Sequence, residues 1–165
     1  MQRPGITPDI IERAATSLAG RCSSLDTAGR VTLAEAIAKA YQHPMSGYDL
    51  VQAMDDQGLL DADILNVIDL DELEGMQSIV KEEHAKVCLK WVKDNDIQPP
   101  FPNGRHIIDR ATNLAGEIVG VADDHAPACY LVKPEGPCET GAEPLYRVIR
   151  FEDATLAESK DRGCA

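Results

Sequence analysis

Three prolines in four positions, Pro99-Pro100-Phe101-Pro102, divide this chain and constrain its fold more than any other feature. A proline cannot continue a helix, and a cluster of prolines favours a stiff, extended backbone. The pattern of apolar residues differs on its two sides. Before the prolines, apolar residues recur at helical spacing. After them come short runs rich in Val, Ile and Tyr at 105–109, 116–122, 128–133 and 145–151, separated by turn-forming segments. The expected fold class is therefore α+β: an N-terminal helical bundle followed by a small antiparallel β-sheet or an SH3-like barrel. The expected organisation is a helical domain over 1–98, a proline-rich connector over 99–104, a β domain over 105–157 and a polar, frayed tail over 158–165.

Within the first part, Thr7-Pro8-Asp9 reads as a helix start, with Thr as N-cap, Pro in the first turn and an acid near the positive end of the helix dipole. Ile10, Ile11, Ala14, Ala15 and Leu18 follow on one face, and Gly20 is the expected stop. Residues 22–30 read as a loop. Thr32 with Glu35 three positions on has the form of a capping box for a second helix, which Pro44 would end. Ser46 with Asp49 repeats that form for a third helix, and Gly58 would close it. Asp61 is the expected cap of a short helix carrying Ile64, Leu65 and Ile68. The longest helix is expected over 70–93, bent or shortened at Gly75, with Trp91 anchoring a core near its end.

Charge is distributed unevenly. The formal net charge is -12, and the window 49–74 holds nine acids with no lysine or arginine: Asp49, Asp55, Asp56, Asp61, Asp63, Asp69, Asp71, Glu72 and Glu74. Leucines, isoleucines and valines interleave with them, so the window reads as folded helix with an acidic outer face rather than as a disordered acidic tail. Such a surface steers basic partners and accepts arginines, and it repels nucleic acid and anionic membranes. Asp49, Asp61 and Asp63 also fit a plainer role as caps and first-turn acids. Arg105, Arg110, Lys133, Arg147 and Arg150, with Tyr130 and Tyr146, are the basic and aromatic residues of the β part. Acids outnumber the cations there, which places direct nucleic-acid binding third among the readings.

The five cysteines, Cys22, Cys88, Cys129, Cys138 and Cys164, are odd in number and irregular in spacing, unlike a disulfide framework. Residues 1–9 have no apolar leader segment. Both features fit a cytoplasmic chain with reduced thiols. Motifs for phosphate cradles, dinucleotides, metalloproteases and serine hydrolases are missing from the sequence. The expectation is a non-enzyme without a cofactor. His125, Cys129 and Cys138 form an alternative metal set, and His84 with Cys88 a helical pair, though neither includes a CxxC.

Two stretches, His43-Pro44-Met45-Ser46-Gly47-Tyr48-Asp49-Leu50 and Trp91-Val92-Lys93-Asp94-Asn95-Asp96-Ile97-Gln98-Pro99-Pro100, resemble segments of small phage and prophage proteins of proteobacteria. The segments Ala128-Cys129-Tyr130-Leu131-Val132-Lys133-Pro134 and Arg150-Phe151-Glu152-Asp153-Ala154 are similar to theirs as well. The resemblance implies an accessory protein of a mobile element, of the anti-defence or anti-CRISPR-like kind, and carries over no catalytic residue. Combined with the acidic window, the expected function is binding and inhibition or modulation of a basic, nucleic-acid-handling host protein. The alternatives are a small-ligand or metal-binding accessory protein and a structural or assembly protein of the element.

Overall fold

The computed structural model describes residues 2–66, 68–122, 125–135 and 145–157, without the side chains of Asp63 and Leu65. Helices occupy the first part and strands the second, and the fold is α+β. The chain forms two compact units, Met1–Val87 and Cys88–Ala165.

In the first unit, helix α1 spans Pro8–Arg21 behind Thr7, which acts as N-cap through its backbone alone. Helix α2 spans Thr27–Ala40. It begins five residues before the expected Thr32, because Asp26 supplies the cap: its carboxylate accepts the Gly29 amide at 2.8 Å. Thr32 lies inside the helix and its hydroxyl donates back to the Ala28 carbonyl. Helix α3 spans Gly47–Asp56 and starts as expected, with the Ser46 hydroxyl accepting the Asp49 amide at 3.1 Å and donating to the Asp49 carboxylate at 2.7 Å.

Gly58 closes α3 in a left-handed conformation (φ 60°). The Gly58 amide donates to Asp55 O and the Leu59 amide to Met54 O, the paired bonds of a Schellman stop. Short helices α4, Ala62–Leu65, and α5, Leu70–Glu74, follow, and α6 spans Met76–Asp94. The expected long helix is thus divided at Gly75, which belongs to neither α5 nor α6. Leu18, Leu33, Ile37, Leu50, Met54, Leu73 and Val80 fill an almost wholly aliphatic core. Gly47 is packed against α5 so closely that a Cβ there would lie 2.7 Å from the Glu74 amide nitrogen. Only glycine permits that approach.

In the second unit, strands β1, His106–Asp109, β2, Ala115–Val121, β3, Cys129–Pro134, and β4, Arg147–Arg150, form an antiparallel meander. A 3₁₀ turn, Phe151–Asp153, leads to β5, Ala154–Leu156, which pairs with the far side of β1. The order is β4-β3-β2-β1-β5. The sheet is open rather than the SH3-like barrel offered as an alternative: β4 and β5 are its edges and do not pair with each other among the described residues. Ile107, Ile118, Tyr130, Val132 and Ile149 share the covered face, and Trp91, Val92, Ile97 and Phe101 pack against them.

The boundary between the units falls in α6, whereas the sequence places it at the prolines. The cause is this packing: the last turns of the helix and the proline segment both contribute side chains to the sheet's core. Tyr130 fixes the proline segment directly. Its hydroxyl accepts the Phe101 amide at 2.6 Å, and its ring lies 6.4 Å from that of Phe101 and 4.5 Å from that of Phe151.

Candidate functional site

The acidic window lies in the first unit and is carried by α3, α4, α5 and the turns between them. Asp49, Asp55, Asp56, Asp61, Asp69, Asp71 and Glu74 are all exposed. The alternation of acid with Leu50, Met54, Leu60 and Leu73, all buried, produces this arrangement, since each helix turns its apolar side inward and leaves its carboxylates in water.

These acids are not equivalent. Asp49 is occupied by Ser46, and the Asp69 carboxylate accepts the Asp71 amide at 3.0 Å as the cap of α5. Both have the local helix-capping role considered for acids of this window. Asp61 sits at the N-cap of α4 without a side-chain cap bond and is exposed. Asp55, Asp56, Asp71 and Glu74 complete the exposed set, and neither their side chains nor that of Asp61 forms an ion pair among the described residues. The side chain of Asp63 lies outside the described residues.

Glu72 belongs elsewhere. It is half-buried, and its Oε2 atom is enclosed without a hydrogen-bond partner among the described residues. It lies near Cys22, whose thiol donates to Leu18 O at 3.7 Å and is pushed up to about 12, chiefly by burial and then by the neighbouring Glu72 carboxylate, with Arg30 opposing. A thiol held so firmly in its protonated form is a poor nucleophile. The Arg30 guanidinium donates to the Cys22 carbonyl at 3.0 Å and tethers the turn between α1 and α2. Sequence pattern gave no sign of this contact, because α5 is five residues long and its inward face is set by neighbouring helices.

Other sequence candidates are dispersed. His125 is exposed, Cys129 is buried with its thiol donating to Pro127 O, and Cys138 lies outside the described residues. Among the described residues no three potential ligands gather around a point. His84 Nε2 is 2.8 Å from Pro4 O, a contact that ties the N-terminal segment to α6, and Cys88 is buried. Tyr130, an aromatic candidate for stacking on a base, is fully buried instead. Asp109 shapes the turn before β2: the Thr112 hydroxyl first, then the Ala111 amide, hold its carboxyl below the usual range, with a lesser pull from Arg147.

A groove of about 580 Å³ opens between α1 and α2, with Ala19, Ala34 and Ala38 among its lining and Glu12, Arg30, Glu35 and Lys39 among its polar residues. No described helix is long and apolar enough to cross a membrane. Comparison with protein-family models, with curated proteins and with solved structures finds no match to this chain.

Proposed function

We propose that this chain is a non-catalytic interaction protein whose acidic helical face binds a basic protein surface that otherwise handles nucleic acid. One observation carries the reading. Over residues 49–74 the folded surface presents Asp55, Asp56, Asp61, Asp71 and Glu74 to solvent, and the sequence there contains no lysine or arginine to neutralise them. Carboxylates fixed on helices accept guanidinium groups without the ordering cost of a flexible tail. They also accelerate encounter with a cationic partner.

In the phage context that the resemblance implies, the partner is a host defence protein of the bacterial cytoplasm, and occupation of its phosphate-binding surface inhibits or modulates it. Glu72 is left out of the binding set because its carboxylate is half-buried beside Cys22.

Tagged protein incubated with bacterial lysate at low and high salt tests the proposal. The expected result is capture of a nucleic-acid-binding protein, lost as salt rises and lost when Asp55, Asp56, Asp71 and Glu74 are changed together to lysine in a chain that keeps its helical spectrum. Full capture by that variant overturns it.

A further inference from the structure

The second unit carries a surface of opposite character. Strand β4 is an edge, hydrogen-bonded to β3 on one side, with no strand on its other side among the described residues. Edge strands attract further strands, because their outward backbone groups have no protein partner. Beside this edge, Leu145 is 87% exposed, Tyr146 54% and Val148 54%. Side chains alternate along a strand, so Arg147 shares a face with the buried Ile149, and Arg150 shares the opposite face with Val148. Both arginines are exposed. The edge is therefore flanked by one guanidinium on each side of the sheet.

We propose that the open edge of β4 receives an extended, acidic segment of a partner protein as an added strand. Backbone hydrogen bonds would supply the register, Tyr146 and Val148 the apolar contact, and Arg147 and Arg150 the preference for acids. A second copy of this chain fits the edge poorly. The antiparallel register that uses all four residues sets Arg147 opposite Arg150 at both ends, and like charges directly opposite are unfavourable. The other edge serves as an internal contrast. Strand β5 is three residues long and carries no arginine, so it lacks the charge that would favour an acidic strand.

The test is amide chemical-shift mapping of the full chain with three capped peptides: Val-Glu-Val-Glu-Val-Glu, the same sequence with lysine for glutamate, and the glutamate peptide N-methylated at alternate residues. The expected result is shifts at 146–150 and none at 154–156, with the glutamate peptide alone. Arg147→Glu with Arg150→Glu is expected to weaken binding about threefold to tenfold, since the glutamates share one face of the added strand and the attraction on that face, whichever it is, becomes a repulsion. Changing Asp55 and Asp56 to lysine is expected to leave it unaltered, which separates this surface from the acidic face. Four results overturn the proposal: no shift at β4 at about 1 mM peptide, equal binding of the lysine peptide, binding that survives N-methylation, or shifts at β4 that depend on protein concentration without peptide.

Discussion

The two units solve the burial problem differently. In the first, helices pack apolar faces against one another, and among the described residues only Val31, Tyr48 and Leu70 remain as large apolar side chains in the open. In the second, one face of a sheet is covered and the rest is not: Leu114, Val119, Val121, Leu145, Tyr146, Val148 and Leu156 are exposed. Their cores differ in kind as well. The helical core is almost wholly aliphatic, whereas the sheet closes over Tyr130, Phe151, Phe101 and Trp91. A helix bundle can bury its apolar stripes from every side, but an antiparallel sheet with a single covering layer leaves one face and two edges in water. The difference assigns the two kinds of exposed surface, acidic on the helices and apolar with arginine on the sheet.

The largest expected effect breaks the aromatic core. Tyr130→Ala removes a fully buried ring and should destabilise the second unit by about 3–5 kcal/mol. Tyr130→Phe, which removes only the acceptor for the Phe101 amide, should cost about 1 kcal/mol. Hydrogen exchange resolved by segment is the measurement. If the alanine variant loses protection in β1–β4 while α1–α3 keep theirs, the two cores are energetically separate. Equal loss in both would show that they unfold together, and the contrast would then be one of composition alone.

A smaller effect is expected at the tightest contact of the helical unit. Gly47→Ala drives a methyl group into the backbone of α5, and a cost of about 1–3 kcal/mol should appear in urea denaturation followed by helical circular dichroism. An unchanged midpoint would mean that α5 shifts freely, and that the acidic face is less fixed than its packing indicates.

The smallest effect is electrostatic. Lys86 first, and Arg13 after it, hold the Glu83 carboxyl below its usual range against a modest opposing effect of burial. With the folded value below the unfolded one, the unfolded chain binds more protons as acid is added. This contribution is present above about pH 4.5 and lost as pH falls through the folded value. Glu83→Gln should therefore lower stability near neutrality and flatten the loss on acidification. A parallel offset at every pH would show that the pair has no such role.

Local chemistry made much of this legible. Ser46, Gly58 and Gly75 each mark a helix boundary where the sequence places one, because a cap, a left-handed stop and a weak helix former act through their own backbone. The first four strands fall where the apolar runs are. Helix α2 begins early because Gly29 and Arg30, which read as loop, sit inside a first turn capped by Asp26. Strand β5 has three residues, too few to show a period, and only pairing with β1 defines it. Trp91 and Val92 look like the end of a helical stripe, yet their partners are strands many residues later in the chain. Glu72 was illegible for the same reason: an acid in a short helix carries no mark of which neighbour will cover it. At the candidate site, exposure of Asp55, Asp56 and Glu74 was readable from the period, and withdrawal of Glu72 was not.

The contact of Gly47 with the backbone of Leu73 and Glu74 has a topological consequence. The acidic stretch, which gives Leu50, Met54, Leu60 and Leu73 to the helical core, begins and ends at nearly one point. Residues added or removed near 57–69 alter the size of an excursion whose two anchor points stay in place, and closing a longer excursion adds little entropy. The buried side of the stretch is tied to the core through Leu50, Met54, Leu60 and Leu73, whereas its exposed side is free to vary. New specificities on this scaffold would arise most readily by changes to the exposed residues between the same two anchors, with the buried ones kept.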